Sequence, residues 1–537
     1  MRDERFFIGC HTTLSCGDSF HMSYINSPAL SVNALKLNAN ISNREPSLQK
    51  ICDVPQGISA SIRDKIGGRD RRALEAVVVA CLLWFWGVNP DQKPVMSLLL
   101  ASAVLILAIF PLWHWLGQSQ RDAIPVLAFH GFFYAVCFGL AGFINPSGTI
   151  AGLLVNEREL QQGLVCAMLG LLSLYLSYYK IAPRLLSEKV RLSWPFVFKE
   201  SAYGRVALFL YPAVFLISSL IAREKLSLFS QYSGAISTFL FMLLLHAHLS
   251  GKLMGKARFL FAYVMLPVNL LFFSGLTNSQ IAGFVMLIVC ISIVYVATKR
   301  KAPYKWLILA AGVFFLLQPI KGEFRNMVWT DKVAMSPVEK LQTFFDLGVN
   351  YYFGNGVKTS SEENGLKTAF ERINHLHVTA LIIADTSADD SFLYGKSYVP
   401  LLTKWIPRFL WPGKPIEDFG NVWAHRYGYL ASNDYSTSFN LPWLPEMYMN
   451  FGMAGVIGVS FLLGMVFRFL RNSFWQSSSD STLFAFGLTL GGPLMFVESN
   501  LSMILGGVII TIATLFALML LLSWFFPGMA EKRLKSS

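Results

Sequence analysis

About a dozen apolar segments, each long enough to cross a bilayer, constrain this chain more than anything else in it, and one polar stretch over residues 320–440 interrupts their series. An α-helix rising ~1.5 Å per residue needs about 20 mainly apolar residues to cross the hydrocarbon. Such stretches lie near 73–88, 95–116, 124–144, 160–179, 206–222, 232–249, 259–275, 280–297, 304–319, 441–467, 482–498 and 501–526. With 54% of residues hydrophobic and 14% charged, the apolar surface is too large for a soluble core, so the solvent is lipid. The expected fold is an all-α polytopic integral membrane protein with about 12 transmembrane helices and one large, partly helical periplasmic loop. Its divisions are a tail over 1–72, a membrane domain over 73–319, the loop over 320–440, a second membrane stretch over 441–526 and a short tail over 527–537.

The formal charge of +13 would point to nucleic acid in a soluble protein, but its placement gives it another meaning. If the N-terminus is cytoplasmic, connections 117–123, 180–205, 250–258, 298–305, 468–480 and the tail 527–537 share one side. Lys180, Arg184, Lys189, Arg191, Lys199 and Arg205 stand in one of them, Lys252, Lys256 and Arg258 in the next, and Lys299, Arg300, Lys301 and Lys305 in a third. The opposite connections carry fewer cations and the long loop is close to neutral. The charge therefore reports orientation, with both termini cytoplasmic, the loop outward and no nucleic-acid partner expected. In a bacterium this is the inner membrane, with the loop in the periplasm.

Residues 1–72 are polar and irregular and end in the basic run Arg63, Lys65, Arg69, Arg71 and Arg72, which reads as a cytoplasmic anchor; Met22 offers an alternative start. The tail lacks the charged start, apolar run and small-residue cleavage site of a signal peptide. Cys10, Cys16 and Cys52 lie in this tail, and Cys81, Cys137, Cys166 and Cys290 in spans, so the loop holds no disulfide framework and no thiolate metal site. No internal repeat, P-loop or Gly-rich dinucleotide motif is present, and no cofactor is expected.

The loop has the aliphatic and aromatic content of a folded segment. Ser336 with Glu339 forms a capping box and Pro337 takes the first helical position, which predicts a helix over 337–352. Leu366, Phe370, Ile373, His377 and Leu381 recur at helical spacing and predict another over 364–384. From Ser397 to Pro415, Leu401, Leu402, Trp405, Ile406, Phe409 and Leu410 suggest an interfacial piece broken at Pro407, with Lys404, Arg408 and Lys414 bringing cations to the membrane surface.

Two runs, IPRFLWPGKP at 406–415 and SFNLPWLPEMYMNFGMAGVIG at 438–458, leading to a span with Gly464, resemble the bacterial O-antigen polymerases and related oligosaccharide repeat-unit polymerases. The resemblance covers about 60 residues; elsewhere the similarity lies in hydropathy and the large outward loop. It implies a metal-independent, membrane-embedded glycosyltransferase that moves a growing glycan from one undecaprenyl-pyrophosphate carrier to a new lipid-linked repeat unit. A chain-length regulator and a flippase are candidate partners beside the bilayer itself. Two rival readings use similar material: an O-antigen ligase, transferring to lipid A-core, and a lipid-linked oligosaccharide flippase. A flippase does not require so large a folded outward segment, and the chain shows no paired halves.

The leaving lipid pyrophosphate develops negative charge, which the planar guanidinium fork suits, while a base takes the acceptor's proton. The catalytic candidates are Glu446, Arg408 and Arg426, and the substrate-binding candidates are Arg325, Arg372, His375, Lys404, Lys414, His425 and Glu498. Each has a plainer alternative. Arg408 beside Trp405 and Trp411 snorkels to headgroups or binds pyrophosphate. Arg325 follows Lys321 as a loop anchor, Arg426 next to His425 makes a surface ion pair, and Arg372 with His375 belongs to a solvated helix face on which Lys367–Glu371 and Glu371–His375 are i,i+4 pairs. His375 and His377 at i,i+2 do not share a helix face, which disfavours a metal; His246 and His248 repeat that spacing in a span. Glu446 at the start of a span, and Glu498 with Asn500 between two spans, place carboxylates where burial is costly unless they are paired or at work. Arg408 is a candidate partner for Glu446.

Overall fold

The structure, a computed structural model, describes residues 56–89, 92–118, 121–144, 155–223, 227–273, 281–299, 301, 303–309, 312, 320, 324, 327, 337–353, 374–386, 392–404, 406, 411, 413–414, 419–435, 437–477 and 479–532. The chain divides into Met1–Lys65 and Ile66–Ser537. In the first unit, the described residues 56–65 are helical. All that follows concerns the second.

The architecture is helical, and among the described residues seven helices are long and apolar enough to cross a membrane: Val95–Gly117, Val126–Phe143, Glu157–Leu185, Glu200–Ser218, Tyr232–Leu249, Trp443–Trp475 and Leu501–Phe525. Helices also occupy Gln56–Val88, Leu266–Phe273, Ile281–Lys299 and Ser481–Met495, over the remaining expected spans, while of 304–319 the described part is helical at 304–309. A polytopic membrane protein follows. Among the described residues, the departure from all-helical is a short antiparallel pair, Phe196–Phe198 with Ala530–Lys532, which joins an expected basic connection to the C-terminal tail.

Glu157–Leu185 and Trp443–Trp475 are the central pair. They approach closely because small residues face each other: a Cβ on Gly464 would come 2.5 Å from the Leu174 carbonyl oxygen, and Ser173 Oγ donates to the Ile457 carbonyl at 2.7 Å. In lipid, where lost water gives no drive between helices, such packing and hydrogen bonds are what hold spans together. Five π-helical turns interrupt the described helices, at Ala135–Leu140, Ser177–Ile181, Val206–Leu210, Phe261–Met265 and Arg471–Trp475. Each widens one turn locally.

The connections expected to share a side do meet. Arg471 donates to Asp122 at 2.8 Å, Ile124 N to the Trp475 carbonyl, Asn472 to the Leu186 carbonyl, and Leu192 N to Ser473 Oγ. Lys252 pairs with Glu200, Lys199 with Glu531, and Arg205 reaches the Gly528 carbonyl. Tyr304 bonds Asp70 beside the basic run. At the opposite end Lys93 pairs with Glu157 at 3.0 Å, the segment 393–395 bonds residues 449–450, and residues 440 and 443 bond 498 and 497.

The expected loop helix over 337–352 is present as Pro337–Phe353; it packs Phe344 on Phe324 and Ile320. Of the expected helix over 364–384, residues 364–373 lie outside the described residues, and what is described is His375–Asp385, begun by Asn374, whose side chain accepts from His377 N at 3.1 Å. His375 is therefore the first residue of a helix and is buried, which corrects its solvated-face reading; Glu371 lies outside the described residues. The cap, not the apolar repeat, sets where this helix begins.

Candidate functional site

The site is built at the end of the bundle opposite the basic connections, around a helix that is not continuous. Within Trp443–Leu470 the backbone leaves the helical region at Phe451 (φ −145°, ψ 19°) and Gly452 (φ 61°, ψ −149°). That second conformation belongs to glycine, because a Cβ there meets the backbone, and here it would also come 3.1 Å from the Phe392 ring. The first half, from Trp443 to Asn450, thus ends inside the protein with carbonyls that no following turn can satisfy.

The segment at 393–395 satisfies them. Leu393 N donates to the Met449 carbonyl at 2.8 Å and Tyr394 N to the Asn450 carbonyl at 3.0 Å. Gly395 N donates to Asn450 Oδ1 at 2.9 Å. To present three successive amides the chain turns left-handed, at Tyr394 (φ 46°) and Gly395 (φ 87°). A lipid-inserted protein tolerates broken backbone only where other parts of the protein complete its hydrogen bonds, and this is such a case.

Glu446 sits on that half-helix with no exposed surface. Ser397 Oγ donates to its Oε1 at 2.8 Å, Ser502 Oγ reaches the same oxygen at 3.4 Å, and Leu501 N donates to Oε2. Leu501 is the first residue of the last helix, Leu501–Phe525, so Glu446 caps that helix from another element. Asn500 stands at the capping position but makes no side-chain cap; its amide donates to Ser502 Oγ at 2.7 Å instead. An anion at a helix N-terminus gains from the amides aimed at it and from the aligned peptide dipoles. Asn450 closes the cluster by donating to Ser397 Oγ at 2.7 Å and to the Glu446 carbonyl at 2.8 Å. A buried carboxylate, two hydroxyls and an amide are thus joined in one network.

Cations lie just beyond. Lys404 follows the short helix Val399–Thr403 and is 8% exposed. Its stem lies against Gly506 on the last helix, where a Cβ would come 2.2 Å from Lys404 Cδ. This corrects the expectation that Lys404 is presented at the membrane surface: the absence of a side chain at Gly506 lets it bury. Lys414 Nζ donates to the carbonyls of Lys404 at 3.3 Å and Ile406 at 3.2 Å, closing the end of the same short helix.

The other expected residues are dispersed. His425 lies in the last turn of the helix Phe419–Arg426; its Nε2 lies 2.8 Å from the Asp434 carbonyl oxygen and its ring is tilted against that of Tyr435. The exposed Arg426 guanidinium lies 5.5 Å from the Tyr427 ring. Glu498 is half-buried, and Asn440 donates toward it at 3.5 Å. His375 packs near Phe138, and burial lowers its pKa to about 4, so it is neutral. Its helix of 11 residues is too short to span. Arg408, Arg325 and Arg372 lie outside the described residues, and with them the suggested pairing of Arg408 with Glu446. Among the described residues no three His, Cys, Asp or Glu side chains gather as a metal site.

Ser397, Asn450, Ser502 and His130 are the polar residues that sequence reasoning passed over. His130 is buried in a span with Nδ1 3.2 Å from the Leu494 carbonyl oxygen and its ring 5.0 Å from that of Trp443. A polar residue within an apolar span was the available signal for it. Comparison with protein-family models, with curated proteins and with solved structures finds no match for this chain.

Proposed function

We propose that the protein extends lipid-linked oligosaccharide repeat units at the membrane face opposite its basic connections, as a membrane-embedded glycosyltransferase of the repeat-unit polymerase kind. One observation carries this reading. Ser397, nine residues before the first resembling run, donates to Glu446 within the second, and Lys404 lays its stem on the helix whose N-terminus Glu446 caps.

In the transfer, the bond from the donor's anomeric carbon to pyrophosphate breaks as the acceptor hydroxyl forms a new bond to that carbon. The hydroxyl proton passes to a base, and the carrier pyrophosphate leaves with the bonding pair. In this reading Lys404 and Lys414 favour that leaving charge. With both oxygens engaged and no exposed surface, Glu446 acts as a positioning residue that locks the half-helix to the last helix. Glu498, half-buried at the same end, is the carboxylate better placed to meet an acceptor hydroxyl.

The test is purified protein in proteoliposomes supplied with undecaprenyl-pyrophosphate-linked repeats. The expected product is a ladder of lengthened chains on the carrier, unchanged by EDTA and reduced on the order of 100-fold by Arg408→Lys, which keeps charge but loses the bidentate fork. Absence of any chain beyond one repeat contradicts the proposal. Transfer only to added lipid A-core replaces it with a ligase.

A further inference from the structure

We propose that the basic end of the bundle binds the phosphate headgroup of an anionic phospholipid between Arg468 and Arg471 of the discontinuous helix and Tyr178, Tyr179 and His114 of the two neighbouring spans. This site is separate from the glycan reading and does not depend on it.

Arg468 and Arg471 are three residues apart, so they share a face of their helix. Among the described residues, Asp122 accepts from Arg471 Nε at 2.8 Å. Arg468 Nε is buried and makes no hydrogen bond, and its guanidinium carbon lies 5.9 Å from the Tyr178 ring. Arg71 and Glu188 also belong to the charged surroundings, and His114 and Tyr179 meet edge to face at 5.2 Å beside them. A guanidinium nitrogen out of water without an acceptor is costly, and a phosphate oxygen is the acceptor whose geometry the fork fits.

The adjoining surface points to a lipid as the bearer of that phosphate. One or two turns deeper on the same two spans, Phe110, Leu172 and Leu176 are exposed, an apolar wall along which acyl chains run. Ser177–Ile181 and Arg471–Trp475 are both π-helical at this level, and such widened turns recur where helices receive a ligand. Basic pockets between spans suit anionic headgroups.

The full-length protein would be reconstituted in nanodiscs of phosphatidylcholine alone and of phosphatidylcholine with phosphatidylglycerol. Native mass spectrometry then counts retained lipid, and thermal unfolding gives Tm. Expected are retained phosphatidylglycerol, a higher Tm in the mixed discs, and about tenfold weaker retention for Arg468→Gln, the size of one charge-assisted contact. Arg468→Lys should restore part of it. Equal Tm and equal retention of the two lipids in the unaltered protein overturn the proposal, as does undiminished retention in a folded Arg468→Gln. An equal rise in Tm from inorganic phosphate in phosphatidylcholine discs overturns the lipid assignment.

Discussion

The two ends of the helix bundle are both polar and are held together in different ways. At the basic end, charges meet opposite charges near the surface, as in Lys199 with Glu531 at 3.0 Å and Lys252 with Glu200. At the other end a carboxylate is sealed from solvent and answered by neutral donors: the Leu501 amide and the hydroxyls of Ser397 and Ser502. Surface pairs cost little to lose because water replaces them, whereas a sealed network has nothing to replace a missing member. The basic end is therefore held by contacts that are cheap to lose, while the opposite end carries the structural specificity of the broken helix and the segment folded on it.

The largest expected effect comes from removing the member on which that contrast rests. Glu446→Ala leaves the Leu501 amide and two hydroxyls without their acceptor, which should destabilise the protein by about 3–5 kcal/mol. Denaturation in mixed micelles measures it. A loss no greater than that of a surface ion pair would erase the difference between the ends.

Acid sharpens the comparison next. His375 is buried and neutral in the folded protein, with its pKa lowered to about 4 from the usual 6.5. Between those values the unfolded chain binds the proton and the folded chain does not, so stability rises with pH through this window. The contribution is fully present above about pH 6.5 and falls away toward pH 4, by about 3 kcal/mol at most. A pH series of unfolding midpoints, compared with His375→Gln, should show a steeper acid decline in the unaltered protein. Parallel curves would contradict the burial of a neutral imidazole.

The smallest effect belongs to the basic end. Lys199 and Glu531 keep 36% and 51% of their side-chain surface exposed. Lys199→Ala should cost less than about 1 kcal/mol, and added salt should shrink even that. A larger, salt-insensitive loss would mean that the strand pair beneath it depends on the charge.

What was legible in the sequence follows from the range over which each feature is determined. Spans are written in about 20 consecutive residues, so apolar helices could be read locally. The capping box at Ser336 and Glu339 likewise announced Pro337–Phe353. Glu446 stood out because a carboxylate at a span's start needs a reason, but its partners lie 49 to 56 residues away and nothing local names them. The break at Phe451–Gly452 carries no proline; glycine permits it, and the amides of 393–395 make it affordable. His375 was misplaced because the apolar repeat extends past a boundary that the Asn374 cap fixes. The strand pair joins residues more than three hundred positions apart, beyond any local pattern.

The measurement that tests the two-ended account most directly is the side from which each end can be reached. With the seven native cysteines replaced by serine, single cysteines would be placed by Tyr435→Cys, at a residue 79% exposed, and by Lys532→Cys on the strand that pairs with Phe196. A membrane-impermeant maleimide applied to spheroplasts should label the cysteine at 435 at once and the one at 532 only after lysis. Labelling of both from the same side would contradict the account.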